Sequence, residues 1–123
     1  RRHVRDCNSW LHNSTRLAKG KDRSQLVMNP EDMERRQILD GSQVAVSSRV
    51  GSLPITVKAS EDMMPGVVSL PHGFGHKLRK GIHMSVANTL DGINCNDLTD
   101  DEYYDAVSGN AALNGVPVSV RAV

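Results

Sequence analysis

The chain has 123 residues, 38% hydrophobic and 3% aromatic, with a formal net charge of +1. That length and apolar share fit one domain with a real core rather than a disordered chain. The near-zero charge gives no electrostatic case for nucleic acid, and no apolar run approaches the roughly 18 residues of a membrane span. Two cysteines, Cys7 and Cys95, are too few for a disulfide scaffold, so a reducing cytoplasm is the default location, with the periplasm also open. Opening on Arg1-Arg2 rather than Met predicts a piece of a longer polypeptide.

Taken in order, Val4 suggests a first strand, and residues 8–23 form a long irregular stretch. Within it, Asn8-Ser9-Trp10-Leu11-His12-Asn13-Ser14-Thr15-Arg16 packs amides, hydroxyls, an indole N–H and an imidazole into nine positions. Such neutral donors and acceptors suit a heterocycle edge or a phosphate without needing net charge. Trp10, the single tryptophan, either packs in the core or lines a flat ligand. Residues 24–28 read as a short strand. Asn29-Pro30-Glu31-Asp32 is a helix start: Asn29 can cap, proline suits the first helical position, and the acids suit the positive end of the dipole. This helix is predicted to run to Gln37 or Ile38, before Asp40-Gly41.

Residues 43–47 and 54–58 are β-rich runs around a turn at Gly51, hence a hairpin. Residues 67–70 form a bounded apolar run, read as a strand that feeds a loop with His72, Gly73, Gly75 and His76. A strand that delivers polar side chains and bare backbone to one point suits binding. Residues 71–82 and 88–113 are long and irregular. Residues 116–123 alternate Val116, Val118 and Val120 against Pro117, Ser119 and Arg121, a half-buried final strand. Six or so short strands with few helices predict a mainly β chain and a small closed barrel.

Charge is unevenly placed. Residues 1–23 carry seven Lys/Arg against Asp6 and Asp22, a balance of +5; residues 91–105 carry six acids and no base. Either these are solvated loop surfaces, or the basic loop meets an anion such as a pyrophosphate. His72, His76, His83 and Cys95 are the right ligand types for zinc, but the four-residue spacing of the first two needs a helix that Gly73 and Gly75 oppose. Ser9, Ser14 and Ser69 lack the glycine frame of a nucleophile elbow, and no phosphate-binding or dinucleotide glycine pattern occurs.

Arg2-His3 followed by Asn8-Ser9-Trp10-Leu11-His12-Asn13 resembles the opening of the C-terminal molybdopterin-dinucleotide-binding domain of molybdenum and tungsten oxidoreductases. Met28-Asn29-Pro30-Glu31-Asp32, Asp40-Gly41-Ser42-Gln43-Val44, the stretch from Pro65 to His76, Asn94-Cys95-Asn96-Asp97-Leu98-Thr99 and Val107-Ser108-Gly109-Asn110 follow in the family's order. Each motif is weak alone; the ordered set covers essentially the whole chain. Ala106 stands where the family usually has proline.

The resemblance implies a double-psi β-barrel of the aspartate decarboxylase-like kind, as one domain of a larger, formate dehydrogenase-like oxidoreductase. It implies a bis(molybdopterin guanine dinucleotide) cofactor with Mo or W, shared with the remaining domains of the parent enzyme as partners. No catalytic residue and no metal ligand is assigned to this chain, and the isolated fragment is expected to be inactive and without cofactor. Carried over by position, the cofactor-binding residues are Asn8, Ser9, Trp10, His12 and Asn13 in the first loop, then His76, Asn96 and Asn114. The rival expectation is a stand-alone β-barrel binding or interaction module without a redox cofactor.

Overall fold

The computed structural model describes residues 5–6, 9–78 and 83–123. The strand expected at Val4 lies outside these residues, as do Cys7 and Asn8. Among the described residues five strands form one sheet: β1 (Leu26–Met28), β2 (Gln43–Ser47), β3 (Ser52–Ala59), β4 (Val68–Ser69) and β5 (Ser119–Ala122). Their spatial order is β4-β1-β3-β2-β5. Three short α-helices accompany them, α1 (Ser9–His12), α2 (Thr15–Ala18) and α3 (Pro30–Arg35), with 3₁₀ turns at His76–Leu78, Ala87–Thr89 and Cys95–Leu98. Helices α1 and α2 sit in the stretch read from sequence as irregular.

Strand β3 organises the sheet. Its first five residues pair antiparallel with β2, from Ser47↔Ser52 to Gln43↔Thr56. Its last three pair parallel with β1, from Leu26↔Val57 to Met28↔Ala59. One strand thus carries two ladders in succession, and the sheet curls about it into a half-barrel. Pro54 falls in the half where β3 has a partner on one side only, a position where a strand tolerates a missing N–H. A closed barrel needs its outermost strands to pair. Among the described residues β4 pairs with β1 and β5 with β2, and the sheet has two edges.

The hairpin joining β2 and β3 follows the predicted pattern. Gly51 is required there by proximity rather than by left-handed backbone, since a Cβ on it would lie 2.3 Å from the Asp97 carbonyl oxygen. Helix α3 begins as its sequence dictates: the Asn29 side chain accepts the Glu31 N–H at 2.8 Å, with Pro30 at the first position. It ends at Arg35, short of the predicted Gln37 or Ile38. Gln37 takes φ 55, and Ile38 N–H donates to the Met33 carbonyl at 2.9 Å, turning Ile38 into the core.

The core is aliphatic: Leu26, Met28, Met33, Ile38, Val44, Val46, Ile55, Val57, Leu98 and Val120. Burying each such side chain contributes about 1.5–3 kcal/mol before the entropy of ordering it. Burial still alternates from Val116 through Val120 although only Ser119–Ala122 pairs as strand. Phe74 packs apart from this core, against the His12 ring at a centroid distance of 4.3 Å.

Candidate functional site

Helix α1 and the residue after it present two polar side chains that tie distant loops together. His12 is fully buried. Its Nδ1 lies 2.8 Å from the Gly73 carbonyl oxygen and its Nε2 2.9 Å from Asp6 Oδ1. Both neighbours accept, so each ring nitrogen is placed to donate. Asp6 is buried as well, and Arg23 Nε donates to its two oxygens at 3.0 and 3.1 Å. Burial pushes the Asp6 carboxyl up, but the hydrogen bonds from Arg23 and His12 outweigh that and hold it below the usual carboxylate range.

Asn13 does the same for the next loop. Its Oδ1 accepts the Val86 N–H at 2.9 Å and the Ala87 N–H at 3.2 Å, capping the Ala87–Thr89 turn. Gly75, at φ 87, lets the histidine loop lie against Asn94: a Cβ there would sit 2.5 Å from the Asn94 nitrogen. Asn94 in turn caps the Cys95–Leu98 turn, accepting the Asn96 N–H at 3.1 Å. Four loop segments are thereby held in register by His12, Asn13 and one close approach.

The expected site residues divide into two groups. Asn8 lies outside the described residues, and Ser9 opens α1 with its side chain outside them. Trp10 is 73% exposed, whereas His12 and Asn13 hydrogen-bond to other loops. His76 starts a 3₁₀ turn, and its buried Nε2 has no hydrogen-bond partner among the described residues; the same holds for His72 Nε2. Asn96 and Asn114 are exposed.

An open cleft of about 1410 Å³ gathers part of this set. His72, Asn96 and Asn114 line it together with Lys21, Arg23 and Cys95. Trp10, His12, Asn13 and His76 are not among its described lining residues. Burial pushes the Cys95 thiol up, which keeps it a neutral thiol. The contribution of Lys21 and Arg23 was visible in the sequence only as a basic run. That His72, Asn96 and Asn114 line one cleft had no sequence signal, because their spacing carries no period. Among the described residues no three His, Cys, Asp or Glu side chains converge as metal ligands, so His72, His76, His83 and Cys95 do not form a zinc site there.

The acidic run is matched in part within the chain. Arg49, at the hairpin turn, donates through Nε and Nη2 to Asp100 and through Nη2 to Glu102 at 3.1 Å. Lys77 reaches Asp91 at 2.7 Å. The turn that carries Ala106 in place of proline is closed by Asp105 instead. Its carboxylate accepts the Ser108 N–H at 3.0 Å and the Ser108 hydroxyl, which hold it below the usual carboxylate range.

Residues 1–117 match the family model described as the molydopterin dinucleotide binding domain. The chain is 27% identical over 124 residues to the matching polypeptide of the tetrathionate reductase of Salmonella typhimurium, covering 88% of this chain and 12% of that protein. It is 31% identical over 114 residues to the molybdopterin-containing polypeptide of the arsenate respiratory reductase of Chrysiogenes arsenatis, covering 87% and 13%. In fold it is similar to acetylene hydratase from Pelobacter acetylenicus, with a TM-score of 0.62 at 17% identity over 80% of this chain and 14% of that one. The chain therefore spans about an eighth of the curated relatives it matches.

Proposed function

The chain belongs to the molydopterin dinucleotide binding domain family, and from that premise we propose that it is the cofactor-holding domain of a larger molybdopterin oxidoreductase. The observation that carries the site reading is the cleft, whose lining includes His72, Asn96, Asn114 and Lys21, and His72 Nε2 has no partner among the described residues. A dinucleotide presents heterocycle edges and a pyrophosphate. Neutral amides and imidazoles suit the edges, and the Lys21 ammonium suits the phosphates, while Arg23 is held on Asp6. The donor set fits the group.

In this reading Asn96 and Asn114 hydrogen-bond the cofactor, Lys21 offsets its phosphate charge, and Trp10 and His76 are further contacts from outside the cleft lining. His12 and Asn13 act from behind as positioning residues, holding the loops that carry the contacts. The bound cofactor supplies the two-electron chemistry at Mo or W; this chain orients it and excludes water. A closed double-psi barrel is the form we propose for the domain within its parent. The metal ligand, the substrate residues and the second half of the cofactor site come from the remaining domains.

The relatives favour a parent that reduces an oxyanion, as a tetrathionate or arsenate reductase does. A formate dehydrogenase-like parent is the second reading, favoured by the order of the sequence motifs. Molybdenum, tungsten and released dinucleotide per polypeptide, measured in the full-length parent with N96A and N114A singly and together, test the site. Occupancy should fall in each single variant and further in the double, with the unfolding midpoint retained. Full occupancy in the double variant overturns it. Assays for tetrathionate reduction, arsenate reduction and formate oxidation separate the two parents, and absence of any pterin from the wild-type parent leaves the binding-module alternative.

A further inference from the structure

His12 sits between two acceptors that come from different loops. The Gly73 carbonyl oxygen lies 2.8 Å from Nδ1, and Asp6 Oδ1 lies 2.9 Å from Nε2. Neither neighbour donates: one is a backbone carbonyl, the other a carboxylate clamped by the Arg23 guanidinium. A neutral imidazole carries one N–H, so only the doubly protonated ring satisfies both. The Phe74 ring stands 4.3 Å away, within the range at which an aromatic ring attracts a cation. Remove one proton and the two bonds compete. The carboxylate keeps its N–H, because the charge-assisted bond is the stronger. Nδ1 then turns a lone pair on the Gly73 oxygen, and the ring is fully buried, so solvent does not replace the lost bond.

We infer that Asp6 is a positioning residue for the histidine loop: acting through His12 it keeps both ring nitrogens protonated, and the loop from Pro71 to His76 loosens when one proton leaves. Among the described residues the charged groups facing the ring are Asp6 and Arg23. His72 and His76 flank Gly73 and Phe74 in sequence, and Lys77 is taken by Asp91. The effect reaches the cleft, because His72 adjoins Gly73 and lines it, as do Asp6 and Arg23. Asp6 and Arg23 offset each other, so the proton on His12 is the remaining charge of the three. Its loss takes one positive charge from behind a wall that would face phosphate. Dinucleotide retention therefore weakens as pH rises through the range in which histidine titrates. That last consequence rests on the proposed cofactor reading; the behaviour of the loop does not.

The test follows amide exchange by mass spectrometry in the full-length parent from about pH 5 to about pH 8, corrected for the intrinsic rate at each pH. The peptide covering residues 71–76 is compared with one covering the β2–β3 hairpin. In the wild type, exchange in the loop should quicken roughly tenfold across that range while the hairpin stays level. In D6N the rise should move to lower pH, because a neutral amide does not hold the second proton. In H12Q, whose amide does not titrate, the rise should vanish. A level wild-type profile overturns the inference. So does a profile unchanged in D6N, or one that survives H12Q and disappears in H72Q or H76Q. If D6N fails to fold, the wild-type and H12Q profiles decide. Pterin and metal are measured on the same samples: a wild-type parent without pterin refutes the cofactor reading alone and leaves the exchange profile standing.

Discussion

Replacing His12 by alanine tests whether α1 holds the loops. The ring is fully buried, with one nitrogen 2.8 Å from the Gly73 carbonyl, the other 2.9 Å from Asp6, and Phe74 beside it. Losing a hydrogen bond to an ionised carboxylate costs about 1.5–3 kcal/mol; Arg23 stays on Asp6, which favours the low end. Leaving the Gly73 carbonyl unpaired costs about 1–2 kcal/mol. The cavity beside Phe74 adds about 1 kcal/mol. The sum, about 4 kcal/mol, is a large part of the roughly 5–15 kcal/mol that holds a domain together. Urea unfolding followed by far-UV circular dichroism measures it, and Trp10, on the same helix, reports local opening by fluorescence. A double-mutant cycle of H12A with D6A should give a coupling of about 1 kcal/mol or more. A loss below about 1 kcal/mol in H12A would refute this account, because a buried ring bonded at both nitrogens cannot be removed so cheaply.

Asp6 adds a pH dependence. Its folded-state pKa is depressed, so its contribution is fully present above the unfolded value of 3.8 and is lost as pH falls through the folded value. The urea midpoint should drop below about pH 4, and D6N should flatten that limb. Two glycines separate steric contact from backbone strain. G51A, whose Cβ would meet the Asp97 carbonyl oxygen at 2.3 Å, should cost about 2–3 kcal/mol. G41A, at φ 78 with open space around it, should cost about 1 kcal/mol. Equal losses in urea titrations of the two would contradict the close approach. N29A removes the cap on α3 and the 2.6 Å bond from its amide to the Met63 carbonyl. About 1–2 kcal/mol should be lost in thermal unfolding, more than any exposed substitution on the same helix.

What the sequence determined by itself was local or ordered. The Asn29-Pro30 start of α3, the β2–β3 hairpin and the alternating valines of the last strand depend on residues a few positions apart, where capping, fixed φ and period-two burial act directly. The family was legible because its motifs recur in a fixed order along the whole chain, which no single motif could establish. Tertiary structure decided the rest. Strand β3 reads as one partner of a hairpin, yet its last three residues pair with β1, a strand that lies on the far side of α3 and β2 in sequence. Asn13 reads as a ligand-facing amide until the chain brings residue 86, 73 positions on, to its oxygen. His12 reads the same way until Gly73 arrives from 61 positions away. Gly51 looks like a turn glycine and turns out to be a contact glycine, because Asp97 packs on it. Polar side chains have the same composition whether they face a cofactor or hold a loop. Only the distance to a partner far along the chain separates the two.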